Sequence, residues 1–208
     1  MSSGALIASV IALASAGYAT AGVSSIFYTT DSVVWGNYAT NRGASLSTES
    51  FDSVANATYG SGISGSTAGI SWTANATGGG VRVAAGRVYT STASNALSFT
   101  FAPGVNGIAG NLYGTNSSST PVPTAITVTL SDGTIYIGNS NGPTDFIGFY
   151  STGATISSLS VSPENFPSSS SPIYATADNL FFATVPAPGA VALIGLAGLV
   201  ARRRERRS

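Results

Sequence analysis

The 208-residue chain has no cysteine, no histidine and no lysine, and its eight arginines and eight acidic residues make up only 8% of it. Each absence removes a chemistry. Without histidine there is no imidazole base near neutral pH, and a Ser-His-Asp triad is impossible. Without cysteine or lysine there is no thiolate nucleophile, Schiff-base amine or thiolate metal ligand, and stability outside a cell must come without disulfides. Ordinary domains carry roughly 25% charged residues. Here 33 serines and 23 threonines stand in their place, so hydroxyls meet water where ion pairs usually do.

The few charges are unevenly spread. Five arginines fall in the last seven residues, interrupted by Glu205. Residues 22–185 hold Arg42, Arg82 and Arg87 against Asp31, Glu49, Asp52, Asp132, Asp145, Glu164 and Asp178, a net charge of −4. Binding nucleic acid requires cations that displace counterions from phosphate, and this body has too few, so nucleic acid is excluded as a partner. No carboxylates recur at calcium-loop spacing, and no metal site or cofactor is expected.

Both ends read as addresses. Residues 4–16 are an apolar run too short to span a bilayer, and they lead into Ala19-Thr20-Ala21, the small-x-small pattern that precedes signal-peptidase cleavage before Gly22. At the other end, Val185-Pro186-Ala187-Pro188-Gly189 is followed by a twelve-residue apolar run, 190–201, and then by Arg202, Arg203, Arg204 and two further arginines. Twelve helical residues reach about 18 Å, short of a hydrocarbon core of about 30 Å. Arginines after such a segment keep the C-terminus cytoplasmic and leave residues 22–185 outside.

This ending resembles the PEP-CTERM sorting signal of exported bacterial proteins, in a variant form with Ala187 where the family name places Glu. The resemblance implies an N-terminal signal peptide removed by signal peptidase, transient membrane residence through the short helix, processing near Val185, Pro186, Ala187 and Pro188 by an exosortase-type membrane protease, and delivery to the cell surface or beyond. The chain then divides into a signal peptide (1–21), a body (22–184) and a sorting signal (185–208).

Within the body, short runs alternating apolar and polar residues recur between Gly, Ser, Asn and Pro, and no window keeps helical spacing. That pattern is the signature of an all-β domain. The expected fold is a single antiparallel β-sandwich, jelly-roll-like, flanked by the N-terminal signal helix and the C-terminal membrane helix. At least eight strands and no helix longer than two turns are expected between residues 22 and 185. Strands are expected at 25–28, 33–38, 70–74, 81–89, 97–101, 126–130, 146–150, 158–161 and 179–183, with linkers at 115–123 and 163–172. Asp132-Gly133 suits a two-residue type I′ turn. That turn would pair Leu130 with Ile135 and Val128 with Ile137, placing all four in the core with Leu97, Phe99, Phe101 and Ile126. The stretch from about Asn95 to Phe182, closing in Asp178-Asn179-Leu180-Phe181-Phe182, also resembles the sandwich body of PEP-CTERM proteins in layout.

Aromatic faces flanked by amides and hydroxyls can stack on sugar rings. Trp35, Trp72, Tyr38, Tyr59, Tyr89 and Tyr113 are the candidates. Trp72 alternates with Ile70 and reads as core, whereas Trp35 and Tyr38 lie in a less regular context and are the expected ligand contacts. The two export signals, the second given by the resemblance, together with the absence of catalytic residue types point to an exported non-enzymatic surface or extracellular-matrix protein whose sandwich can take extracellular polysaccharide as a partner. One enzyme class survives the composition, a secreted carbohydrate-active hydrolase that needs only two carboxylates. A structural coat component without a ligand is the third reading.

Overall fold

The computed structural model describes residues 25–164 and 172–186. Ala19, Ala21, Gly22, Ala187, Pro188, the 190–201 run and Arg202, Arg203 and Arg204 lie outside the described residues. In chain order the elements are β1 (Ile26–Thr29), α1 (Ser32–Thr40), β2 (Ser45–Glu49), β3 (Ala57–Tyr59), β4 (Ile63–Thr67), β5 (Ile70–Ala76), β6 (Val81–Ala84), β7 (Arg87–Thr90), β8 (Leu97–Phe101), β9 (Val105–Thr115), β10 (Pro121–Val122), β11 (Thr124–Leu130), β12 (Ile135–Ser140), β13 (Phe146–Ser151), β14 (Ser158–Glu164) and β15 (Tyr174–Thr184).

They form two antiparallel sheets. The larger runs β1-β13-β9-β15-β7-β6-β3, with β10 added to β9 and β2 added to β15, and the smaller runs β12-β11-β14-β8-β5-β4. Alternation along the strands sends one set of side chains from each sheet into a common core. Leu97, Phe99, Phe101, Ile126, Val128, Leu130, Leu159 and Val161 come from the smaller sheet and meet Ile108, Leu112, Ile147, Phe149, Leu180, Phe182, Val81 and Val88 from the larger. The all-β sandwich read from the sequence is therefore the fold of the described body.

Three local expectations are corrected. Residues 33–38 are helical, not extended, because Asp31 caps a helix. Its Oδ1 accepts from the backbone N–H of Val33 at 2.8 Å and of Val34 at 3.0 Å, satisfying two of the donors that a helix start leaves open. The helix has nine residues, about two and a half turns, and so exceeds the two-turn limit. It buries Trp35 and Ala39, four residues apart on one face, against the outer side of the larger sheet.

The third correction concerns register. Leu130 N–H bonds to Thr134 O, Gly133 N–H bonds to Leu130 O, and Gly133 alone in the loop has a positive φ, of 86°. This is a three-residue loop, a type I turn closed by a left-handed glycine, whereas a type I′ turn needs positive φ at both central residues. The extra residue shifts the pairing to Thr129 with Ile135, Val128 with Tyr136 and Thr127 with Ile137. A shift of one residue exchanges the faces. Tyr136 turns inward, and Ile135 and Ile137 are 62% and 66% exposed rather than core.

Candidate functional site

The two expected ligand contacts are used otherwise. Trp35 is 2% exposed. Its Nε1 donates to Phe149 O at 3.0 Å, and its ring packs edge-on to Phe146, so no face is open to a sugar. Tyr38 is half-buried, with the Phe27 ring parallel to it at 3.8 Å between centroids and the Arg42 guanidinium 3.5 Å from its ring centre. Since both lie this close to the ring, they occupy opposite faces. Tyr38 is a stacked surface element, not a platform, and both residues are corrected to packing roles. Trp72 is core as expected, and Tyr59 donates its hydroxyl to Ala55 O at 2.8 Å.

The carboxylates are dispersed. Asp31 caps α1, Asp132 accepts from Thr134 N–H at 2.9 Å, Asp145 from Asn141 N–H at 2.6 Å, and Glu164 from the Thr127 hydroxyl at 3.0 Å. Glu49 lies buried between the sheets, accepting from Phe51 N–H at 2.8 Å, Trp72 Nε1 at 3.0 Å and the Thr67 hydroxyl. Asp178 faces Arg87 at 3.5 Å in the only ion pair among the described residues. No cluster of three potential metal ligands occurs among those residues, nor does a helix long and apolar enough to cross a membrane.

Three cavities stand out. One of about 330 Å³, at the sandwich end near the β12–β13 connection, is lined by Asp145 with Tyr136, Asn139, Ser140 and Thr144. A second, about 450 Å³, is a hollow of mixed polarity between the edge strands β1 and β12, formed by Tyr28, Ile135, Ile137 and Phe149 among others. The third, about 310 Å³, opens on the outer side of the larger sheet and is lined by Thr58, Arg82, Tyr89, Thr115, Asn116, Ser117, Ser119 and Tyr174 among others. None is lined by two carboxylates, the arrangement that glycoside hydrolysis uses.

The third cavity is assembled by the sheet's own pairing. Thr58, Arg82 and Tyr89 are direct cross-strand partners on β3, β6 and β7, and Tyr89 continues through Thr176 to Tyr113. Directly opposed residues share a face, so these five side chains form one row on the outer side. The hairpin joining β9 to β10 folds over the row. Asn116 shapes it by accepting from Ser118 N–H at 2.9 Å and Thr120 N–H at 3.0 Å through Oδ1, and the Ser119 hydroxyl lies 3.5 Å from that of Tyr89. Asn116 Nδ2 has no hydrogen-bond partner among the described residues. The Arg82 guanidinium sits 5.3 Å from the Tyr89 ring centre, within cation–π range.

No family model matches this chain, and neither does any curated protein or solved structure. Tyr89 was among the aromatic candidates in the sequence, but Arg82 carried no signal there. What singles Arg82 out is its register position, which follows from the Ala85-Gly86 turn between β6 and β7 and not from any motif.

At the far end of the row, Tyr113 is fully buried and its hydroxyl has no partner among the described residues. Burial pushes its pKa up from the usual 10 to about 12, with Arg87 opposing and Asp178 and Tyr89 reinforcing the shift. Burial likewise raises Tyr150, partly countered by Arg42. A folded-state pKa above the unfolded value means that the unfolded chain loses its proton first. The stability from a neutral Tyr113 is therefore intact below about pH 10 and is lost as pH rises towards 12. Denaturation midpoints measured across that window should fall in wild type and fall less in Tyr113→Phe, which deletes a hydroxyl without a partner among the described residues. An equal alkaline decline in both proteins would assign the loss to other tyrosines.

Proposed function

We propose that the protein is an exported, non-enzymatic component of a cell surface or extracellular matrix, and that its β-sandwich, of jelly-roll-like type, binds polysaccharide in the cavity beside Tyr89 and Tyr174. The observation that carries this reading is the lining of that cavity. Hydroxyls and an amide with spare hydrogen-bonding capacity surround the half-buried Tyr174 ring, over a floor that includes the buried Tyr89, and such a combination holds a sugar by its hydroxyls and its apolar face. Export rests on the signal-peptide pattern and the PEP-CTERM-like ending, with signal peptidase and an exosortase-type protease as processing partners. It is supported by where the sandwich stops. β15 closes at Thr184, and Val185 and Pro186 follow as exposed chain, with Val185 N–H held by Asn106 Oδ1 at 3.3 Å. The jelly-roll description is supported by the chain's repeated change of sheet, β8 in one, β9 in the other, β11 and β12 back, then β13, β14 and β15 in alternation.

The test is retention of the full chain on immobilised extracellular polysaccharides, read together with release of reducing ends. Saturable binding without turnover is expected, weakened when Tyr174 is replaced by alanine. Turnover would favour the carbohydrate-active hydrolase, and absence of binding across the panel would favour a structural coat component.

A further inference from the structure

We infer that the saccharide taken by this cavity is acidic, with Arg82 as the counter-ion of its carboxylate or sulfate group; the inference rests on the glycan-binding reading above. The argument starts from scarcity. The body has three cations, and two are committed: Arg87 faces Asp178, and Arg42 lies over Tyr38 and donates to its backbone carbonyl at 3.3 Å. Arg82 is the third. Among the described residues its guanidinium makes neither an ion pair nor a hydrogen bond, although the body around it is net negative. A solvated arginine without a partner needs no explanation on an ordinary charged surface, but this one lines a cavity that contains no carboxylate of its own.

The cavity therefore presents one fixed positive charge among neutral donors. A neutral sugar could take hydrogen bonds from the guanidinium through its hydroxyls but would leave its charge without a counter-ion. A uronate or sulfated sugar would place its anion against the planar fork of donors that matches such groups bidentately. The hydroxyls of Thr58 and Ser117 and the uncommitted Asn116 Nδ2 would remain for the ring. Arg82 is positioned for this role before any ligand arrives, since it stands in register between Thr58 and Tyr89 and rests against the Tyr89 ring. Holding the side chain there lowers the entropy lost on binding.

The experiment compares four probes on the full chain by titration calorimetry: an oligogalacturonate, its methyl ester of the same length, a sulfated galactan oligomer and the unsulfated galactan. The expected result is that one or both acidic probes bind about tenfold or more tighter than their neutral counterparts, a gap of the size of one charge-assisted contact. Arg82→Gln should close that gap and Arg82→Lys should keep part of it. Arg82 is exposed and unbonded, so neither variant disturbs the fold, and unchanged unfolding midpoints verify this. Preference for the carboxylate or for the sulfate tells the two anions apart. Equal binding of acidic and neutral probes, or a gap that survives in Arg82→Gln, overturns the inference and leaves the glycan reading standing. Absence of binding by all four probes overturns the inference, and the glycan reading falls with it if the wider polysaccharide panel is also blank.

Discussion

Replacing Glu49 by alanine should cost about 3–5 kcal/mol, a large part of the 5–15 kcal/mol that holds an ordinary domain together. Glu49 is 8% exposed at the end of β2, and its two oxygens serve three donors. Oε1 takes the backbone N–H of Phe51; Oε2 takes the Trp72 indole and the Thr67 hydroxyl. β2 belongs to the larger sheet, and Thr67 and Trp72 belong to β4 and β5 of the smaller one, so one carboxylate ties the sheets together along an edge. Alanine strands all three donors in a site closed by Phe51 and Trp72, whose rings meet edge to face at 5.3 Å. Each buried donor left unpaired costs about 1–3 kcal/mol. Glu49→Gln keeps one acceptor but turns an amide NH₂ towards an N–H that can only donate, that of the Phe51 backbone or of the Trp72 indole, and it should lose about 1–3 kcal/mol by the same reckoning. Urea unfolding with an unchanged slope measures both. A loss below about 1 kcal/mol for the alanine variant would mean that water replaces the carboxylate, and the edge would then owe its stability to ring packing alone.

How much of this was legible beforehand can be judged from particular residues. Strands with a strict two-residue period were plain: Leu97, Phe99 and Phe101 on β8 and Ile126, Val128 and Leu130 on β11 are all core. β9, central in the larger sheet, was not expected as a strand, because Gly107, Gly110 and Gly114 break its pattern and lower its β propensity. Those glycines are where neighbouring side chains press closest, Leu180 above Gly110 and Thr124 and Ile173 above Gly114. Turn chemistry misled in both directions. Asp132-Gly133 looked like the type I′ turn and is a three-residue loop, whereas the consecutive positive φ values of that turn occur at Ala68-Gly69 and Ala85-Gly86, where alanine gave no warning. The second of these splits the run 81–89 into β6 and β7 and sets the register that places Arg82 beside Tyr89. α1 is hidden in the sequence because Val33, Val34, Trp35 and Tyr38 are β-branched and aromatic residues that favour strands, although Asp31 just before it is a helix-capping residue. The acidic residue that matters most for packing, Glu49, reads in sequence as one more polar position on an edge.

Trp35→Ala should release α1 from the sheet and cost about 3–5 kcal/mol, the range for truncating a large buried aromatic. The helix has little else to hold it. Val33 and Val34 are exposed, and only Trp35 and Ala39 among its residues are buried. The indole lies directly over β13. An added Cβ on Gly148 would fall 2.5 Å from Trp35 Cδ1, so the absent side chain at residue 148 is the seat of the ring. The Nε1 bond to Phe149 O and the edge contact with Phe146 then fix its orientation. A nine-residue helix is too short to persist in water without tertiary support, so losing this anchor should melt it as well as leave a void. Far-ultraviolet dichroism should lose its small helical component, and limited proteolysis should open between residues 32 and 44. Trp72 remains as the single tryptophan, whose unchanged emission would show that the sandwich core persists. Gly148→Val attacks the same seat from the sheet side with the indole intact and should produce the same proteolytic opening. If both variants keep a protected helix, the cap at Asp31 and the stacked Phe27–Tyr38–Arg42 group, rather than Trp35, fasten α1 to the sheet.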